Sequence, residues 1–245
     1  MLLSKIYEQV FYGELSQTPI GPGSAAAGKV AIATADYPRV ISYINLGIQA
    51  LCERFVVLEK EVIIQIYDAI TEYQIHWDFA ETNSSSTEDP LYILDSAAHP
   101  FTENVPLKIL AIYNELGEDY LINPSYVEKE LDNSMLAYTP EQLVVQLPFP
   151  VDDNKIFVIC QACPAEILST NVAPTTTEVD IPDILLRPLL AFIGDRYFST
   201  IPRNNDEAII YPNKFESACQ YLEKNNLIIK DNIFGGNRFW RDGWA

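Results

Sequence analysis

VISYINLGIQALCERFVVLEKEVIIQIYDAITEY, residues 40–73, changes its repeat half way along, and that change decides the fold class. Val40, Ile41, Ile44, Ile48, Leu51, Cys52 and Phe55 recur every three or four residues, the spacing of one face of an α-helix. Upstream, Asp36 and Pro38 supply an acidic start and a proline suited to a first turn, so the pattern predicts a helix over 36–55 with Cys52 on its apolar stripe. From Val56 onward β-branched and aromatic residues take over, as in EVIIQIY, which is strand chemistry.

Outward from this switch, the same two patterns sort the rest of the chain. TEYQIHW, LYILD, LKILAIYN, EQLVVQL and KIFVICQA read as short strands of a mostly antiparallel sheet, ending near Thr170. Between them lie a polar loop, ETNSSSTEDP (81–90), and an acidic connection, NPSYVEKELDNS (123–134). Helical spacing returns at IPDILLRPLLAFIGDRYFST, where Pro188 marks a kink or the first turn, and again over 205–225, where Pro212 is placed to split the helix. Toward the N-terminus, apolar residues at 2, 3, 6, 7, 10, 11 and 15 predict a short amphipathic helix, followed by SQTPIGPGSAAAGK with linker composition. The expected fold is therefore α+β: a helical bundle from 1–58 and 181–230, an inserted β domain over 59–180, and an extended C-terminal arm over 231–245.

Composition limits the function classes. With 245 residues, 48% of them apolar, the chain can bury a substantial core. No stretch reads as some twenty consecutive apolar residues, and Lys5, Glu8 and Glu14 interrupt the first fifteen, so neither a membrane span nor a secretion signal is expected. A formal charge of −18 opposes any protein whose task is to grip phosphates. Many acidic copies around a polyanion would instead present a repulsive wall along which it slides, with Glu128, Glu130 and Asp132 among the contributing residues.

Enzymatic and metal chemistry are not expected, and neither is a cofactor. Cys160 and Cys163 form a CQAC motif, but KIFVICQACPAEI continues as strand and Pro164 disfavours the helix N-terminus that a reactive thiol of this kind uses. As a zinc half-site it lacks a second pair, because Cys52 and Cys219 stand alone in helices and there are only two histidines. His76, flanked by Glu72 and Asp78, and His99 have no partner at a recognisable catalytic spacing. Without a secretion signal, the four cysteines are expected as thiols.

The C-terminal FGGNRFWRDGWA (234–245) carries two of the three tryptophans of the chain. Phe234, Phe239, Trp240 and Trp244 are anchors of the kind that dominate interface energies, Arg238 and Arg241 are the charged type most used there, and Gly235 and Gly236 let the backbone lie close to a surface. The segment reads as a docking arm for a partner groove.

These elements together resemble the head-to-tail adaptor proteins of tailed bacteriophages, the tail-tubular or gatekeeper type of short-tailed phages. The likeness lies in VISYINLGIQALCERFVVLEKEVIIQIYDAITEY with its central Asn45, in VDIPDILLRPLLAFIGDRYFST with the following KFESACQYLEKNNL, and in the aromatic-glycine terminus. The resemblance implies a structural virion protein that assembles in the host cytoplasm. Twelve copies would form a ring between the portal protein and the tail nozzle protein, and double-stranded DNA would pass through the channel without sequence-specific binding during ejection. It implies further that the helical domain faces the portal, that Phe234, Gly235, Gly236, Arg238, Phe239, Trp240, Arg241 and Trp244 dock on it, and that the loops 81–90 and 123–134 face the tail. Arg39, Gln49 and Glu53, on the outward side of the helix at 36–55, are left unassigned between channel and subunit contact. The competing readings are another tail or neck component and a CxxC thiol-redox or metal-binding protein.

Overall fold

A computed structural model describes residues 1–16, 18, 20–21, 31–96, 100–101, 105–124, 135–168, 175–199 and 205–228. The protein is mixed helix and sheet, of α+β class, and divides into two compact units: Met1–Val57 with Glu166–Ala245, and Leu58–Ala165.

Among its described residues the first unit contains four α-helices: α1 (Leu3–Gln9), α2 (Tyr37–Arg54), α3 (Leu186–Ser199) and α4 (Asn205–Lys224). Helix α1 runs on into a π-helical stretch, Val10–Glu14, and buries Leu3, Ile6, Tyr7, Val10 and Phe11. Helix α2 begins with Pro38 in its first turn and buries the predicted stripe, Val40, Ile41, Ile44, Ile48, Leu51 and Cys52. Burying one such isoleucine contributes about 1.5–3 kcal/mol, which is what commits this segment to a helix on a core. At Phe55 the backbone turns extended (φ −129°, ψ 149°), at the point where the sequence repeat changes.

Helix α3 is enclosed on most sides, with Leu189, Ala191, Phe192, Ile193, Tyr197 and Phe198 all buried, so it is the centre of the unit. Pro188 falls in its first turn, where a missing N–H leaves no gap in the hydrogen-bond ladder. The expected split at Pro212 does not occur: α4 is one helix from Asn205 to Lys224 that runs through the proline. Its face toward the core carries Tyr211, Ala218, Cys219 and Leu222, and the packing of this face maintains the helix across the lost bond. The beginning of the expected linker is also packed, with Thr18 and Ile20 both buried and the Thr18 hydroxyl donating to the Leu15 carbonyl at 2.7 Å.

The described residues of the second unit include eight strands: β1 (Leu58–Gln65), β2 (Glu72–Gln74), β3 (Ile93–Leu94), β4 (Val105–Asn114), β5 (Leu121–Ile122), β6 (Leu136–Ala137), β7 (Val144–Gln146) and β8 (Lys155–Cys163). An antiparallel sheet in the order β3, β1, β8, β4 carries the longer strands, with Leu58 opposite Ala162 and Gln65 opposite Lys155. Two ribbons accompany it, β2 with β7 antiparallel and β5 with β6 parallel. β5 and β6 were not expected, because neither lies in a run of β-branched and aromatic residues long enough to read as a strand. The core between these layers includes Ile64, Tyr73, Ile93, Ile112, Val145 and Val158.

The expected β domain ended at 180, whereas the compact unit ends at 165. Hydrogen bonds supply the reason. The side-chain amide of Asn45 in α2 donates to the Ile167 carbonyl and accepts from the Ile167 N–H, both at 3.1 Å, so a helix side chain takes the place of a neighbouring strand. Leu3 N–H donates to the Thr177 carbonyl at 3.0 Å and Val179 N–H to the Met1 carbonyl at 2.7 Å. These bonds tie the segment after β8 to α1 and α2, although its composition reads as an extension of the sheet.

Candidate functional site

The predicted arm residues Phe234, Gly235, Gly236, Arg238, Phe239, Trp240, Arg241 and Trp244 lie outside the described residues, as do His99 and residues 125–134 with Glu128, Glu130 and Asp132. The other sequence-level candidates are placed.

Cys160 and Cys163 both sit in β8. Side chains alternate across a strand, so residues three apart point to opposite faces of the sheet, with Cα atoms about 10 Å apart, beyond disulfide reach. Cys160 faces the core with Val158 and Ala162 and is fully buried; desolvation pushes its thiol up to about 12, partly opposed by the charge of Lys60. Cys163, on the other face at the strand end, is half-buried. The two thiols therefore do not form a redox pair in this geometry, and Cys160 is held as a small apolar side chain. Alkylation of the native protein at neutral pH with iodoacetamide is expected to label Cys163 first, while Cys52, Cys160 and Cys219 react only on unfolding; peptide mass mapping after a time course reads this order. Early labelling of Cys160 would contradict its burial.

His76 precedes a 3₁₀ turn, Trp77–Phe79, and its Nδ1 accepts from the Asp78 N–H at 3.3 Å. The Asp78 carboxylate also lies 3.1 Å from Nδ1, and both side chains are more than half exposed. Glu72 does not join them: it accepts from Gln146 Nε2 at 3.2 Å across the β2–β7 ribbon. The arrangement is a capped turn.

The polar loop at 81–90 is heavily braced. Asp95 accepts from the Thr82 N–H (2.8 Å), the Thr82 hydroxyl (2.5 Å) and the Phe101 N–H (3.0 Å), so one carboxylate gathers three donors. Asn83 is buried and donates to the Trp77 carbonyl at 3.2 Å, while its Oδ1 accepts from the N–H and hydroxyl of Ser85. Sequence reading identified the loop by its polarity; its anchor, Asp95, lies outside it and carried no signal.

The end of this loop borders a cleft of about 390 Å³ beside the β2–β7 ribbon. Phe79, stacked on Tyr92 at 4.6 Å, supplies an aromatic wall, with Ile70, Pro90, Pro140 and Val144 adding apolar surface and Glu72, Asp89 and Glu141 the carboxylates. The Tyr92 hydroxyl donates to the Gln74 carbonyl at 3.0 Å and accepts its N–H at 2.8 Å. Burial pushes this phenol up to about 12 against the lowering effect of that backbone bond, so it is a neutral hydroxyl committed to holding β2. What the cleft offers is a negatively charged, aromatic recess of a kind that takes a cationic side chain.

Arg54, at the end of α2, is the centre of a charged cluster in the helical unit. Its guanidinium donates to Glu216 at 2.6 and 3.0 Å and to Glu223 at 2.7 Å, both on α4. Arg39, Gln49 and Glu53 occupy the exposed side of α2, where Gln49 donates to Glu53 at 3.4 Å.

Among the described residues no three or more His, Cys, Asp and Glu side chains are grouped to hold a metal ion, and no helix is long and apolar enough to cross a membrane. Compared with known proteins, the chain matches no protein-family model and no curated protein.

Proposed function

We propose that the chain is a structural virion protein of the head-to-tail adaptor kind that its sequence resembles. In this reading the helical unit is a bundle that faces the portal, the antiparallel β unit faces the tail nozzle, and 231–245 is an extended arm that docks on the portal protein. Twelve copies close a ring whose channel passes double-stranded DNA. The observation that carries the reading is that the two ends of the chain, Met1–Val57 and Glu166–Ala245, join into one helical unit and that the β unit is inserted between them in the sequence, the order of elements that the resemblance implies. Charge supports it as well. A ring of subunits at −18 each repels DNA, so a polyanion within the channel meets a wall to which it does not adhere. Rotational closure gives such a ring stability without one large interface.

The test is co-sedimentation of the full chain with isolated portal rings, followed by electron microscopy, for the wild type and for Trp240→Ala with Trp244→Ala. Wild type is expected to form a ring on the portal. The double variant is expected to bind at least about a hundredfold more weakly, since two interface tryptophans lost at about 2 kcal/mol or more each exceed a factor of ten apiece. Absence of wild-type binding would sink the adaptor reading; equal binding by both proteins would leave the adaptor and reassign the arm.

A further inference from the structure

The sheet of the β unit has two distinct ends. The chain enters at Leu58 and leaves after Cys163, and Leu58 pairs with Ala162, so entry and exit share one end. At the other end, where Gln65 pairs with Lys155 and Asn114 with Ile156, three connections emerge together: 66–71 between β1 and β2, 115–120 between β4 and β5, and 147–154 between β7 and β8. Ile66 N–H donates to the Asn154 carbonyl and Leu147 N–H to the Thr71 carbonyl, each at 2.8 Å, which joins the first connection to the third.

This end carries large apolar side chains in water: Leu116 is 83% exposed, Phe149 72% and Val151 59%. They are presented on braced loops. Asn114 Oδ1 accepts from the Leu116 N–H at 2.9 Å and the Glu118 N–H at 2.8 Å, and Gly117 takes the positive φ of +80° that closes the turn. Phe149 stands between Pro148 and Pro150, whose rings fix φ on both sides. The Tyr73 hydroxyl accepts the Tyr67 N–H at 2.9 Å and donates to the Tyr67 carbonyl at 3.0 Å, holding the first connection. Apolar groups held out on preorganised turns lose little further freedom on binding.

The surrounding charge is mostly negative. The three connections contain Asp68, Glu115, Glu118, Asp119, Asp152 and Asp153 and no lysine or arginine, against the single cation Lys155 that follows the third connection at the start of β8. Such a rim repels anionic lipid and a second copy of itself, and attracts a basic protein surface.

We propose that this loop tip, with Leu116, Phe149 and Val151 as anchors, is a docking face for a protein surface that offers apolar sockets among lysines and arginines. The identity of that partner as the tail nozzle protein rests on the adaptor reading; the face itself stands on the β unit alone. Its residues belong to other connections than the 81–90 and 123–134 loops to which the resemblance pointed.

The test uses the full chain, purified portal rings and purified tail nozzle protein, with both bindings measured on each variant. Leu116→Ser, Phe149→Ser and Val151→Ser combined should bind portal like wild type and nozzle protein at least about thirtyfold more weakly, because anchor residues of this type each contribute a factor of several to ten. Asp152→Lys with Asp153→Lys, which leaves the anchors in place, should slow association with the nozzle protein and flatten its salt dependence. Nozzle binding unchanged in both variants would overturn the proposal while leaving the adaptor reading standing, and wild type that binds neither partner would overturn both. Should the triple substitution instead abolish wild-type self-association or vesicle binding, the face belongs to a second copy or a membrane and the proposal fails.

Discussion

Gly194→Val is expected to lower the melting temperature of the protein's helical unit by roughly 6–12 °C, the counterpart of about 3 kcal/mol in a chain of this size. Any Cβ at position 194 in α3 would lie 2.3 Å from Cε1 and 2.4 Å from Cδ1 of Tyr211 on α4. The ring has little room to retreat: it stacks on Phe198 at 4.9 Å, lies under the Lys214 ammonium at 4.4 Å, and its hydroxyl donates to the Glu14 carbonyl at 3.1 Å. Alanine at 194 would recover up to about 1 kcal/mol of helix propensity against the clash, so the branched side chain is the cleaner probe. A double-mutant cycle with Tyr211→Ala isolates the cause. Tyr211→Ala alone should cost about 3 kcal/mol through the cavity it leaves, and in that background valine at 194 should cost less than about 1 kcal/mol. Urea unfolding followed by helical circular dichroism measures all four proteins; additive effects would show that α3 and α4 do not meet at this glycine.

Arg54→Met should destabilise the same unit by about 2 kcal/mol, between the values for exposed and buried ion pairs. Its side chain is 24% exposed, and of its two partners Glu223 is the more enclosed at 17% while Glu216 is 49% exposed. Methionine fills much of the volume and removes the guanidinium that the two α4 carboxylates share. Glu223→Gln in the Arg54→Met background should therefore recover part of the loss, and Arg54→Lys should recover less than the wild-type value because an ammonium lacks the planar fork that reaches both glutamates. Arg54 also lies in the last turn of α2, where a cation favours the helix dipole. If Arg54→Met and wild type unfold at the same urea concentration, the cluster is surface decoration and α4 is held by its apolar face alone.

Much of the local structure is legible in the sequence because it follows from periodicity. The stripe from Val40 to Cys52 gave α2 to within a residue at each end, and the alternation in KIFVICQAC gave β8, since burial of one face is a local property repeated many times along each element. Features that depend on a single distant contact left no such trace. Nothing near Ile167 indicates that its partner is Asn45, 122 residues earlier, and this pair turns the segment after β8 toward the helices. The same holds for Asp95, which organises a loop it does not belong to, and for Pro212, which the packed face of α4 overrides.

For the candidate sites the division is similar. From sequence alone come the excess of negative charge and the aromatic composition of 234–245, because both are sums over residue types and need no fold to define them. The reading of KIFVICQACPAEI as strand already argued against CQAC chemistry, and the sheet adds the reason that Cys160 and Cys163 fall on opposite faces. The loop tip with Leu116, Phe149 and Val151 could be found only in three dimensions. Each lies in a turn where an isolated apolar residue is unremarkable, and pairing of Asn114 with Ile156 and Gln65 with Lys155 is what brings their three connections to one end of the sheet. Periodicity and composition are local or additive and survive in the unfolded chain; a shared surface is a property of strand register, which exists only after the chain has closed contacts across long loops.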